Sequence, residues 1–190
     1  MKLTAKQQLV LNFAKSCHYG QPRKYDGKPY WTHPLAVAER LSEVGCDYDF
    51  MIEIALLHDV LEDQYNRCNE VTMINSLRLC GYSYFDAMYI VRGVIELTDV
   101  YTTRRAPDMN RSLRKEKEAM RLWQISPAAQ TVKYADLIEN TISIVEHDRK
   151  FAKVYLAEKE FILKGMRGGY CVLLNTCERH LNAAKQELEL

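Results

Sequence analysis

Nowhere does the chain hold the run of ~18 apolar residues that a membrane-spanning helix needs. No short apolar stretch followed by a cleavage site opens it either, and MKLTAKQQLVLNFAKSC reads instead as an amphipathic helix. Glycine (8) and proline (5) are sparse in 190 residues, which excludes collagen-like and low-complexity chains. Charge of a single sign is lacking as well: 26 Lys and Arg face 25 Asp and Glu, for a net charge of +1. Broad, non-specific nucleic-acid binding depends on neutralising many phosphates, so that balance argues against a nucleic-acid partner. It leaves open one local basic pocket for a small phosphorylated ligand. The six cysteines form no C-x-x-C pair, and most fall in apolar stretches where the thiol acts as a small hydrophobe. These absences point to a reduced, cytoplasmic protein that needs no membrane; whether it forms a homo-oligomer stays open.

Alternation of apolar and polar residues, the mark of a half-buried strand, is missing too, and what is present has helical period. Leu9, Val10, Phe13 and Ala14 line one face of a first helix over about 4–17. GQPRKYDGKPYWTHP then breaks the pattern, with Tyr25, Tyr30 and Trp31 giving an ordered loop something to bury. Pro34 suits the first turn of the next helix, LAVAERLSEVG, which Gly45 closes. Asp47 or Asp49 is expected to cap a single helix, FMIEIALLHDVLED. Further helices are predicted over 70–80, 83–97, 111–123, 127–147, 151–166 and 168–188. The polar, basic stretch VYTTRRAPDMN is expected to be a mobile surface loop. With no internal repeat, the expectation is one all-α domain over residues 1–190.

ALLHDVLED carries the chemistry. His58 and Asp59 enter from a run of alanine and leucine, and a buried ionisable group is expensive unless it is paired or coordinates a metal. Glu62 lies four residues after His58 and three after Asp59, which on a helix gathers the three on one face; Asp63 flanks it. A divalent ion prefers about six N/O ligands, so further donors must come from other segments. His33, just before Pro34, and Asp136, within the apolar helix TVKYADLIENTISIV, stand out. Read singly, His33 is equally a helix cap and Asp136 equally an outward-facing carboxylate.

The order H…HD…D, in HPLAVAERL, ALLHDVLED and VKYADLIEN, resembles the HD-domain superfamily of phosphohydrolases. The run CHYGQPRKYDGKPYWTHPLAVAERL is similar to the opening of the hydrolase domain of the RelA/SpoT family, and more so to the stand-alone small alarmone hydrolases of the Mesh type. His18, Gln21, Arg23, Lys24, Gly27, Pro29, Tyr30, His33 and Pro34 carry that match. The HD-x-x-ED segment, VIELTD, the K-x-x-D-x-x-x-N helix and Tyr155, Glu158 and Lys159 extend it over about residues 5–165. The resemblance implies one divalent metal, Mn²⁺, held by His33, His58, Asp59 and Asp136. It implies Glu62 and Asp63 as the pair that orients and deprotonates the attacking water or balances the developing charge. It implies Arg23, Lys24, Asn140 and Tyr155 as nucleotide contacts, with Arg111, Arg114 and Lys115 reaching phosphate. Two departures touch the nucleotide pocket: Leu137-Ile138-Glu139-Asn140 stands where the family often has Arg-Leu-His-Asn, and VYTTRRAPDMN aligns poorly.

The expected partner is thus a phosphorylated nucleotide, and the expected reaction is hydrolysis of guanosine 3′,5′-bis(diphosphate) to GDP and pyrophosphate. Two separated cationic groups, Arg23-Lys24 and Arg111, Arg114 and Lys115, suit a nucleotide with phosphate on both its 5′ and 3′ sides. Another phosphorylated nucleoside or NADPH is the alternative substrate. A metal-bound sensor without turnover would have no need of Glu62 and Asp63.

Overall fold

The computed structural model describes all 190 residues, in ten helical segments with no strand beyond one isolated bridge. The chain divides into two compact units, 1–98 and 99–190.

In the first unit, α1 (Ala5–Cys17) opens with a capping box. The Thr4 hydroxyl accepts the Gln7 backbone N–H at 3.2 Å, and the Gln7 side chain accepts the Thr4 N–H at 3.0 Å. The loop that follows is a tight ribbon: Arg23 N–H donates to the Lys28 carbonyl at 2.8 Å and Tyr30 N–H to that of Gln21 at 2.8 Å. It delivers the chain into α2 (Thr32–Glu43), which ends as expected with Gly45 in the left-handed region, φ 74°.

The expected single helix over 50–63 is instead two pieces. In α3 (Met51–Leu57) all seven residues are buried, and α4 (Val60–Asp63) is one short turn. His58 and Asp59 form the joint, where Asp59 relaxes to φ −94°, ψ −7°. Neither Asp47 nor Asp49 caps α3: the cap position is Phe50, left-handed at φ 58° with no capping side chain, and Asp49 is itself left-handed at φ 49°. Burial of Met51, Ile52, Ile54 and Leu56 sets the entry to α3 where local capping chemistry would not.

Helix α5 (Glu70–Leu79) starts at an Asn69 cap, and α6 (Tyr84–Leu97) at a Ser83–Asp86 capping box. α3 packs against α1, α2 and α6. Gly93 on α6 makes the last approach close, since a Cβ there would lie 2.6 Å from Ile54 Cδ1. Glu53, the one charge on α3, is buried with the Tyr82 hydroxyl donating to it at 2.6 Å.

The second unit begins with the 99–110 loop expected to be mobile. Its first residues are anchored. Buried Glu118 accepts the backbone N–H groups of Val100 and Tyr101, each at 2.9 Å, and Lys115 bonds Asp99 at 2.9 Å. Glu118 and Lys115 lie on α7 (Arg111–Leu122), which packs on α9 (Arg149–Gly165). The longest element, α8 (Pro127–His147), starts with Pro127 in its first turn behind a Ser126 cap. It packs against α9 and α10 (Cys171–Glu187). The α9–α10 turn is sewn to α8: Tyr134 OH donates to the Met166 carbonyl at 2.6 Å, Gly168 N–H to Gln130 Oε1 at 2.7 Å, and Tyr170 N–H to Thr131 Oγ1 at 2.9 Å. No helix is long and apolar enough to cross a membrane.

Gly169 sits inside that stitching, where a Cβ would come within 2.6 Å of the Tyr134 ring and 2.9 Å of the Thr131 backbone nitrogen. Gly169→Ala is expected to destabilise the protein by about 1–3 kcal/mol through overpacking. At this chain length that is a fall in Tm of roughly 3–10 °C by calorimetry. An unchanged Tm would show that the turn has room the contacts deny.

Candidate metal centre

Within the first unit, three expected ligands come together. Asp59 Oδ2 lies 3.1 Å from His58 Nε2 and 3.7 Å from His33 Nε2, and the two imidazole rings meet edge-on with centroids 5.3 Å apart. His58 stands at the end of α3 and His33 in the first turn of α2, so the packing of those two helices fixes the pair. Both rings are buried, at 3% and 5% exposure.

Hydrogen bonding then settles which atoms face the centre. His58 Nδ1 lies 2.8 Å from the Ala55 carbonyl, which can only accept, so Nδ1 carries a proton, and in the neutral imidazole Nε2 keeps its lone pair. That lone pair points at a carboxylate oxygen, also an acceptor. Two acceptors at 3.1 Å repel unless a cation or a proton lies between them. A backbone carbonyl holding the far side of the ring is the usual outer contact of a metal-bound histidine. Tyr30 OH adds a second such contact, donating to Asp59 Oδ2 at 2.7 Å. The residues fit a divalent ion: imidazole and carboxylate donors, buried, with their orientations held from behind.

Glu62 and Asp63 follow on α4, both reaching the surface. Gln21 Nε2 donates to Asp63 Oδ2 at 2.8 Å. The atoms crowded around the Asp63 carboxylate, and secondarily the charge of Asp59, raise its pKa above the ordinary aspartate value, although part of the residue remains in solvent.

In the second unit, Asp136 is buried on α8, so it does not face outward. Its neighbours one turn either way hold it: Lys133 Nζ donates to Oδ2 at 2.8 Å and Asn140 Nδ2 to Oδ1 at 2.6 Å. Asn140, expected at the nucleotide, therefore orients the carboxylate expected at the metal. Tyr155 donates to the Leu137 carbonyl at 3.3 Å, and burial raises its phenol pKa far above the normal range, helped by the charge of Asp136. Lys159, fully buried, donates to Thr141 Oγ1 at 2.7 Å, and burial lowers its pKa. Asp136 is thus, like His33 and His58, a buried group whose atoms could ligate a metal ion.

The expected phosphate contacts have partners of their own. Arg23 lies 3.8 Å from Asp26, while Lys24 bonds the Tyr25 hydroxyl at 3.0 Å. Arg111 makes a two-pronged bond to Glu158, 2.9 Å on each prong, and Lys115 pairs with Asp99. Arg114 donates to the Met109 carbonyl, closing the loop onto its helix. The roles of Tyr30, His18 and Gln21 were not assigned from sequence. Their only signal there was a match to a motif, and it takes the folded loop to aim each of them.

A model of the HD domain matches residues 10–122, and the chain belongs to that family. Among named relatives, it is 34% identical over 131 residues to the mouse guanosine-3′,5′-bis(diphosphate) 3′-pyrophosphohydrolase MESH1, covering 68% of this chain and 64% of that one. Against the Aquifex aeolicus guanosine-3′,5′-bis(diphosphate) 3′-pyrophosphohydrolase it is 47% identical over 64 residues, covering 34% of this chain and 9% of that one. The chain therefore spans under a tenth of that longer relative. A solved structure titled "A metazoan ortholog of SpoT hydrolyzes ppGpp and plays a role in starvation responses" matches with a TM-score of 0.77, over 98% of this chain and 97% of that one. Its 21% identity makes it a likeness of fold.

Removing the Tyr30 hydroxyl tests the outer contact. Tyr30→Phe is expected to weaken divalent-metal binding roughly 10-fold by calorimetric titration, as loss of an outer-shell partner does. Affinity within twofold of wild type would detach Tyr30 from the metal centre.

Proposed function

We propose that this protein is a metal-dependent phosphohydrolase that removes the 3′-pyrophosphate of guanosine 3′,5′-bis(diphosphate), leaving GDP, or GTP from the pentaphosphate. The observation that carries the reading is the gathering of His33, His58 and Asp59 at the joint between α3 and α4, with Glu62 and Asp63 one turn on. The names of the relatives supply the substrate. In this reading Asp136 is the fourth ligand of one divalent ion, Mn²⁺, and the two compact units work as one HD-type domain. The HD-family match, which crosses from one unit into the other, supports that unity. In this reading the protein works in the cytoplasm, alone or as a homo-oligomer, with a phosphorylated nucleotide as partner and neither nucleic acid nor membrane.

Each residue has a task in the reaction. A divalent ion held by His33, His58, Asp59 and Asp136 would supply Lewis-acid polarisation of a phosphoryl oxygen and would lower the pKa of a nearby water. Glu62, with Asp63 beside it, takes the proton as the water oxygen bonds to phosphorus. The bond from that phosphorus to the ribose 3′ oxygen breaks, and the 3′ oxygen takes up a proton. Arg23 and Lys24 neutralise one anionic end of the nucleotide, and Arg114 with its neighbours the other. Tyr155 and Asn140 lie towards the nucleoside.

One observation favours a second reading, hydrolysis of another nucleotide or of NADPH. Leu137-Ile138-Glu139 replaces residues that the RelA/SpoT pattern often has, and Arg111 and Lys115 already hold carboxylates. The discriminating experiment is incubation of the protein and Mn²⁺ with ppGpp, GTP, dGTP and NADPH, with products separated by ion exchange. GDP and pyrophosphate released fastest from ppGpp support the proposal. Faster loss of a 5′-triphosphate or of NADPH would replace the substrate and keep the chemistry. Glu62→Gln is expected to lower turnover roughly 10²–10⁴-fold, as loss of a general base does. Its metal content should match wild type; undiminished turnover would remove Glu62 from the mechanism.

A further inference from the structure

His18, the residue that ends α1, is 1% exposed, and nothing in the reaction above uses it. Its Nδ1 lies 2.7 Å from Gln21 Oε1. That same oxygen accepts from Gln64 Nε2 at 2.5 Å, while the Gln21 amide nitrogen donates to Asp63 Oδ2 at 2.8 Å. The reverse orientation of the Gln21 amide would set its oxygen against the Asp63 carboxylate, two acceptors with no proton between them. An amide oxygen accepts only, so His18 must carry its proton on Nδ1. His18 Nε2 is buried and without a hydrogen-bond partner. A leucine would fill this space and strand nothing; what histidine adds is the Nδ1 donor.

The support behind His18 is equally specific. Its ring lies tilted at 36° against that of Tyr30, centroids 4.9 Å apart, and Tyr30 is the residue that donates to Asp59. Arg67 Nη1 donates to the carbonyls of Cys17 and Tyr19, at 3.0 and 2.7 Å, and so clamps the backbone on both sides of His18. The end of α1 is thereby tied to the segment just after α4, and the side chains between them form one chain of donors and acceptors ending on Asp63.

We propose that His18 and Gln21 are positioning residues for Asp63: His18 fixes the orientation of the Gln21 amide, and Gln21 holds the carboxylate in the rotamer that faces the attacking water. The proposal rests on the hydrolase reading above, in which Asp63 serves the water. Gln64, the second donor to Gln21 Oε1, makes the amide orientation doubly determined, so one lost bond weakens the arrangement without erasing it.

The test is steady-state kinetics on ppGpp with Mn²⁺ for wild type, Gln21→Leu, His18→Leu and His18→Asn. The two leucine variants should lose roughly 10- to 100-fold in kcat with KM within twofold, the effect of a displaced catalytic group on an intact binding site. His18→Asn keeps an N–H that can reach Gln21 and should recover most of the loss. In an Asp63→Asn background, Gln21→Leu should add less than twofold, because the residue it positions is already gone. Nitrogen-15 NMR of the His18 ring gives a readout apart from activity and should show the Nδ1–H tautomer in wild type. Because His18 is buried, its leucine variant tests folding as well; if it unfolds, the partly exposed Gln21 and the double variant decide between the outcomes. Wild-type turnover with undiminished kcat in Gln21→Leu, or an Nε2–H tautomer at His18, would overturn the positioning role. A wild-type protein that cleaves none of the nucleotides would overturn the hydrolase reading and this proposal with it.

Discussion

A carboxylate oxygen with two imidazole nitrogens at 3.1 and 3.7 Å, at the end of a helix whose every side chain is buried, is the constraint from which the rest of the first unit follows. Burying ionisable groups is expensive unless they are paired or coordinated. The chain accepts that burden at one joint and removes polar groups almost everywhere around it, leaving Glu53 as the only charge on α3, and that one satisfied by Tyr82. α3 has to be short. Its seven buried residues bring His58 to the centre, and the dihedrals of Asp59 then let α4 turn Glu62 and Asp63 towards solvent.

What holds the joint is a set of bonds from outside it. The Ala55 carbonyl fixes the tautomer of His58, Tyr30 fixes one oxygen of Asp59, and Gln21 fixes one oxygen of Asp63. Tyr30 and Gln21 come from the glycine- and proline-rich loop after α1. That explains why a segment with no regular structure is nonetheless ordered: its own backbone bonds from Arg23 to Lys28 and from Tyr30 to Gln21 set the two side chains at a fixed spacing. A loop can aim side chains this well only when both of its ends are fastened, here by Arg67 at the end of α1 and by the start of α2.

The helices were legible because apolar residues at helical spacing are a strong signal over ten or more positions, as in α8, whose observed limits coincide with those its periodicity predicts. The donors His58 and Asp59 were legible because ionisable residues inside an apolar run are rare. The break between α3 and α4 was not, since both pieces share one apolar period and the interruption lies in two dihedrals. The cap at Phe50 was hidden for the opposite reason: Asp47 and Asp49 carry the local capping signal, and burial overrode it. Polarity alone also gave no sign of the anchor at the start of the 99–110 loop, where Glu118, on the helix beyond the loop and buried, collects two of its backbone N–H groups.

The second unit raises a question of charge economy. Arg111 and Lys115 are not free cations; each already holds a carboxylate, Glu158 and Asp99. An exposed ion pair is worth only about 0–1 kcal/mol, so a phosphate, which binds a guanidinium through the same two-pronged geometry with greater charge, can displace a carboxylate at little loss. Before a ligand arrives, the pairing keeps two cations from repelling each other and holds Arg111 against α9. Under the proposed function, a phosphate arriving there would release Glu158 beside it and be opposed by that carboxylate. The balance would then favour ligands with enough negative charge to outcompete a carboxylate over those with a single phosphate. Such selection would act by charge rather than by base, leaving discrimination between nucleosides to residues other than Arg111 and Lys115.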